Sequence, residues 1–140
     1  MLRRLLAVGV VGSMAAFGGP ALAHHAGTMY DHTRVETVDG EVKEWRWANP
    51  HAFLQIMAPN EEGQQVVWSF ESTSPNILVR SGWKRTTFKP GDKVKVMYNP
   101  LKDGAPGGSL TGVVLPDGTE LQAQAGSGGP NSATGSSSSD

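Results

Sequence analysis

The sequence predicts a mostly β fold: a small barrel like the oligonucleotide/oligosaccharide-binding (OB) type, or a β-roll, of five to six strands with one short helix. Three observations predict it. Apolar residues in the middle of the chain recur at period two, the period of strands with one face on a core. A single helix signal falls after the third expected strand, where an OB barrel places its helix. Proline, glycine and aspartate punctuate the alternating segments as turn formers do.

The elements follow in order. Gly40 to Trp47 has high β-propensity, but Val42 and Trp45 fall on opposite faces at strict period two, so burying both requires a bulge. Asn49-Pro50 forms a corner, and Ala52 to Met57 returns as a partner strand. Val66, Trp68 and Phe70 alternate with Val67, Ser69 and Glu71, giving a third strand. Ser74 then suits an N-cap and Pro75 the first helical position, with Ile77 and Leu78 expected to face inward and Gly82 to close the helix in a left-handed conformation. Val94, Val96 and Tyr98 mark the next strand. Asp103 to Gly108 reads as a long hairpin connection, and Leu110 to Leu115 and Thr119 to Leu121 as strands joined by the turn Pro116-Asp117-Gly118.

Three regions flank or form this fold. Arg3 and Arg4, the apolar run Leu5 to Phe17 and the small residues of Ala21-Leu22-Ala23 have the order of a signal peptide, so residues 1–23 are expected to be removed on export. The apolar run is short and broken by glycine, unlike a spanning helix of about 20 apolar residues. Residues 24–124 are expected to form one β domain, and residues 125–140, rich in Gly and Ser, a disordered tail too poor in apolar groups to offset its ordering entropy. The expected location is the bacterial periplasm or the exterior, with no membrane attachment after cleavage.

Charge and composition exclude several functions. Without Arg3 and Arg4 the chain keeps ten Lys and Arg against thirteen Asp and Glu, a mildly acidic balance that argues against nucleic acid as a partner. There is no cysteine, so neither a disulfide nor a thiolate is available, and any metal falls to His, carboxylate or backbone nitrogen. No paired-carboxylate motif, nucleophile elbow or zinc-protease helix can be read, and the Gly-rich segment lacks the lysine of a phosphate loop. The chain therefore reads as a binding protein rather than an enzyme.

All four histidines stand at positions 24, 25, 32 and 51. With cleavage after Ala23, His24 carries a free amine beside its own imidazole, and the two nitrogens can close a chelate ring on one ion. Copper is the natural candidate, because Cu(II) favours compact nitrogen sites and binds most tightly in the divalent series. His24, His25 and His51 are the expected metal ligands, and His32, beside Asp31, is a weaker one. The alternative is a solvated His-His pair at a mobile terminus, and for His51 a corner residue capping exposed backbone.

Trp47, Asn49 and Glu71 complete the candidate ligand-binding set. Glu71 alternates away from the aromatic face, so it either faces solvent or pairs with His51 from the neighbouring strand. Trp47 belongs to a set of four tryptophans, whose first use in a domain this small is to fill the core, although aromatic faces also stack on sugars. The rival expectation to copper is therefore an envelope-interaction or saccharide-binding module without metal. A copper-dependent oxidase is a third.

These residues together resemble DUF6152, a family of small exported bacterial proteins of unknown function. The matching blocks are His24-His25, Met29-Tyr30-Asp31, Gly40-Glu41-Val42 and Trp47-Ala48-Asn49-Pro50-His51, followed by Trp68, Glu71, Ser74-Pro75-Asn76, Gly82-Trp83, Lys89-Pro90-Gly91-Asp92, Pro100 to Gly104 and Leu115 to Gly118. The resemblance implies an exported single domain and no established activity. It departs at Ala26-Gly27, where family members carry Ser-Phe, so an aromatic anchor for the N-terminal segment is missing there.

Overall fold

The computed structural model describes residues 29–123. The expected signal peptide, His24, His25 and the expected tail at 125–140 lie outside the described residues. Among those described, six strands and one helix follow the order β1 (Glu36–Arg46), β2 (Phe53–Pro59), β3 (Gln65–Glu71), α1 (Pro75–Arg80), β4 (Lys93–Pro100), β5 (Gly107–Val114) and β6 (Glu120–Gln122).

The strands form one sheet in the order β3-β2-β1-β4-β5-β6, and a parallel pairing of β3 with β5 closes the first five into a barrel. This is the OB-like architecture with one added strand. Long β1 makes closure possible by serving two partners: Glu36 to Glu41 pair with β4, and Glu41 to Arg46 with β2. The expected bulge is present. Val42 pairs with Ile56 and Glu44 with Gln55, which leaves Lys43 as the extra residue. Val42 is thereby buried while Trp45, three positions on, also packs against the core.

The hairpin reading of the Gly-rich segment is half right. Asp103 to Pro106 does connect two strands, but Gly107 and Gly108 already belong to β5 and form the seam of the barrel. Gly107 has φ +140, and a Cβ there would lie 2.1 Å from the Ser69 carbonyl oxygen. A Cβ on Gly108 would lie 2.1 Å from the Asn99 oxygen. Only glycine lets three backbones approach this closely.

The helix differs from expectation in one respect. Pro75 and Leu78 are buried, but Ile77 is 38 % exposed. A helix of six residues presents only one i, i+3 row to the core, and Ile77 lies off that row. Ser74 begins the helix through its carbonyl, which accepts from the Ile77 and Leu78 amides, without a side-chain cap bond. Gly82, at φ +86, closes it as expected. Trp83 follows, fully buried, and its indole N–H donates to the Gln122 carbonyl at 2.8 Å, tying the helix end to β6.

Inside the barrel lie Leu54, Ile56, Phe70, Val96, Leu110 and Val113. Each such side chain contributes about 1.5–3 kcal/mol through burial. The tryptophans serve this core. Trp45 packs on Trp83 at 5.8 Å, Phe88 at 5.1 Å and Trp47 at 5.6 Å between centroids, while Trp68 packs on Phe70 and Tyr98.

Candidate functional site

The outer surface of the barrel carries a row set by strand register. Arg46 pairs with Phe53, Phe53 with Glu71, and Glu71 with Ser109, so these four residues share one face across β1, β2, β3 and β5. The Arg46 guanidinium lies 4.8 Å from the centre of the Phe53 ring, a cation–π contact. His51 stands just ahead of β2, at the same end of the barrel.

Backbone bonds on both sides fix His51 relative to Glu71. The Ala52 amide donates to the Thr73 carbonyl at 3.1 Å, and the Ser72 amide to the Ala52 carbonyl at 2.8 Å, so the β2–β3 ladder continues past the ends of both strands. Glu71 therefore faces the corner. Its Oε1 accepts from His51 Nδ1 in an ion-pair contact, the imidazole side chain being 44 % exposed and the carboxylate 19 %. His51 thus contacts a neighbouring carboxylate rather than capping backbone. With the Nδ1 proton directed at Glu71, a neutral imidazole carries its lone pair on Nε2.

A third residue joins this pair. The Tyr30 hydroxyl donates to the other carboxylate oxygen, Oε2 of Glu71, at 2.5 Å. Burial, then the hydrogen bond and charge of Glu71, pushes the phenol pKa well above the ordinary tyrosine value. Tyr30 reaches Glu71 because Met29 to Asp31 runs antiparallel to Pro100 to Lys102: Tyr30 bridges Leu101, the Asp31 amide donates to the Pro100 carbonyl at 2.9 Å, and the Lys102 amide to the Met29 carbonyl at 2.9 Å. Further along, Asn99, buried, donates to the Arg34 carbonyl at 2.6 Å and meets His32 Nδ1 at 3.2 Å. The segment from Met29 to Arg34 thus forms a strap over the outside of β4 and its following turn.

The candidate residues are distributed unevenly. His51 and Glu71 come together. Trp47 is half-buried against Trp45 and the core. Asn49 is exposed in the β1–β2 connection. Tyr30 had stood only as part of a sequence block, with no local pattern to connect it with a glutamate 41 positions away. It supplies an aromatic anchor for the N-terminal segment three residues beyond Ala26-Gly27.

The sequence model of a family of unknown function (DUF6152) matches residues 11–110. The chain belongs to the DUF6152 family. The matched span of this DUF6152 protein holds Tyr30, His51 and Glu71 and runs from ahead of β1 into β5. No curated protein and no solved structure matches it.

Two further facts bear on what the DUF6152 barrel can hold. Among the described residues no group of three or more His, Asp or Glu is placed to bind a metal ion, so His51 and Glu71 need donors from elsewhere to complete a site. A separate cleft of about 560 Å³ opens between the strap and the barrel, lined by Arg34, Glu36, Trp68, Tyr98 and the Pro100 to Gly107 turn. Trp68, one of its lining residues, has a buried Nε1 with no hydrogen-bond partner among the described residues. Among the described residues, no helix is long and apolar enough to cross a membrane.

Proposed function

We propose that this protein is exported and binds a small ligand in the periplasm or outside the cell, the ligand being a copper ion held by His24, His25 and His51. The observation that carries this reading is the chain of contacts Tyr30–Glu71–His51. Tyr30 lies six positions after His24, a contour of at most about 20 Å, and this short tether supports a terminus at His24 reaching the His51 ring.

The donor set suits the ion. A terminal amine and its imidazole form one chelate, His25 adds a nitrogen, and the Nε2 of His51 adds another; Cu(II) prefers such nitrogen-rich, compact sites. Glu71 then has the role that carboxylates commonly have beside metal-bound histidine, fixing the tautomer and ring orientation through Nδ1. Phe53 and Arg46 continue the face beside it. The role is binding, with no catalytic residues assigned.

Titrating the correctly processed protein with Cu(II), beside His24→Ala and His51→Ala variants, tests the reading. One ion per chain is expected, and each substitution should weaken binding by at least about tenfold. Equal affinity in all three proteins would remove the proposal.

A second reading is favoured by the cleft alone. An unpaired buried indole N–H costs about 1–3 kcal/mol, and a saccharide or envelope partner offering an oxygen to Trp68 would relieve it. Tryptophan fluorescence unchanged across a panel of glycans and peptides would count against this module-type function.

A further inference from the structure

Resting on the second, module-type reading and not on copper, we infer that the cleft docks an extended basic peptide of a partner protein. The peptide adds as a strand to the free edge of β3 and seats a lysine or arginine side chain in the mouth of the barrel.

The edge supplies the backbone contacts. β2 covers one side of β3 along its whole length, but β5 covers the other only from Ser69 to Glu71. The Ser69 amide points to that second side, where it donates to the Pro106 carbonyl at 3.4 Å. Strand residues alternate the edge to which their N–H and C=O point. Val67 therefore shares the direction of Ser69, and its amide and carbonyl have no backbone partner on that side among the described residues. An open edge of this kind is a template for another strand. It borders the cleft, which is lined by Trp68 from β3 and by Gly104 to Gly107 from the connection into β5.

The cleft sets the chemistry of the side chain. Glu36, Trp68 and Tyr98 continue the inward rows of Val38, Phe70 and Val96, so the cleft is the mouth of the barrel. The Trp68 and Tyr98 rings meet at 70° with centroids 5.9 Å apart, and aromatic faces attract a cation. Four carboxylates line the mouth, Asp31, Glu36, Glu61 and Glu62, against two cations, Arg34 and Lys102. Arg34 shows what the mouth draws in: its guanidinium pairs with Glu36 and lies 4.0 Å from Asp31. Glu61 and Glu62, exposed on the β2–β3 turn, have no ion-pair partner among the described residues. Theirs are the charges left for an incoming ammonium or guanidinium. In strand addition the main-chain bonds give affinity and pockets for alternate side chains give specificity, so a peptide with a cation at every second residue matches both features.

The probe is a blocked peptide alternating lysine and threonine, added to nitrogen-15-labelled processed protein, with affinities measured by calorimetry. The Val67 amide signal should shift, and affinity should fall as salt is raised. The same peptide with glutamate in place of lysine should leave the signal where it was. Glu61→Gln together with Glu62→Gln, on an exposed turn, should weaken binding by about three- to tenfold. Val67→Pro removes a donor that faces away from β2, a place where an edge strand accepts proline, and should also cost about three- to tenfold. Arg34→Gln should instead tighten binding by about two- to threefold, because it removes the cation that competes for Glu36.

A lysine peptide that binds no more tightly than blocked lysine alone, or whose affinity Val67→Pro leaves unchanged, would overturn strand addition. Weaker binding to Arg34→Gln would overturn the competition for Glu36 and with it the seating of a cation in the mouth. A glutamate peptide or a glycan that shifts the Val67 signal in place of the lysine peptide would overturn the basic partner while leaving the module reading standing. No shift with any peptide or glycan would remove the module reading, and this inference with it.

Discussion

Glu71 divides its two carboxylate oxygens between His51 and Tyr30, and so joins the corner before β2 to the strap ahead of β1. The cross-strand geometry makes this possible, since Phe53 and Glu71 are direct partners and His51 lies two positions before Phe53.

Replacing Glu71 by Gln keeps the side-chain shape but removes the charge that both partners use. Copper affinity of the processed protein should fall by about 10- to 100-fold, with a small change in melting temperature because the group lies at the barrel surface. An unchanged affinity would show that Glu71 does not orient a ligand.

The barrel seam should be intolerant of any side chain. Gly107→Ala places a Cβ against the Ser69 carbonyl in a backbone conformation that L residues rarely adopt. The cost should be about 2–4 kcal/mol, combining strain and overpacking. Urea denaturation measures it, and a loss below about 1 kcal/mol would mean that the β3–β5 closure is looser than described.

Alkaline titration gives a third expectation. The chain has two tyrosines, and both have raised pKa values: Tyr98 is pushed up to about 12 by burial, then by the charge of Glu36 and the bond to it, and Tyr30 is pushed up further. A folded-state pKa above the unfolded value of about 10 means that the native state holds the proton more tightly. Their contribution to stability is therefore complete below pH about 10 and is lost as the pH rises through the folded-state values. Tyrosinate absorbance should appear together with unfolding, above the normal range. Reversible ionisation of either phenol near pH 10 in the folded protein would contradict the contacts assigned to it.

Deleting Lys43 should remove the bulge and restore strict alternation. Val42 and Trp45 then stand two positions apart and still share the core face, with the pairings of Val42 with Ile56 and Glu44 with Gln55 kept, so the Trp45 packing on Trp83 and Phe88 should survive at a cost below about 1 kcal/mol. Tryptophan emission and a urea midpoint close to wild type are the expected signals, and a red shift with a loss of about 3 kcal/mol would contradict the assignment of Lys43 as the bulged residue.

These elements also show what a sequence reveals and what it hides. The bulge was legible because Val42 and Trp45 are both too apolar for solvent and sit three apart, a conflict with only one local resolution. The strands and the helix position were legible from period and punctuation, which are local properties. Ile77 misled because its hydrophobicity says nothing about how few rows a six-residue helix can bury. Gly107 and Gly108 looked like loop residues because their reason for being glycine is the approach of Ser69 and Asn99, strands distant in sequence. For the site, the pairing of His51 with Glu71 was one of two open readings, since alternation placed Glu71 outward and could not say who waited there. Tyr30 stayed hidden because its partner comes from the far side of the barrel closure. Trp47 was divided between core and ligand, and it stands half-buried against the aromatic cluster around Trp45.

Paramagnetic broadening by Cu(II) in nitrogen-15-labelled, correctly processed protein tests most directly whether the terminal histidines and His51 share one ion. Substoichiometric copper should selectively erase the amide signals of Tyr30, Ala52 and Glu71 along with those of the terminal residues, and His51→Ala should spare the Ala52 and Glu71 signals. Broadening confined to residues 25–28, with the signals around His51 sharp, would contradict the shared site.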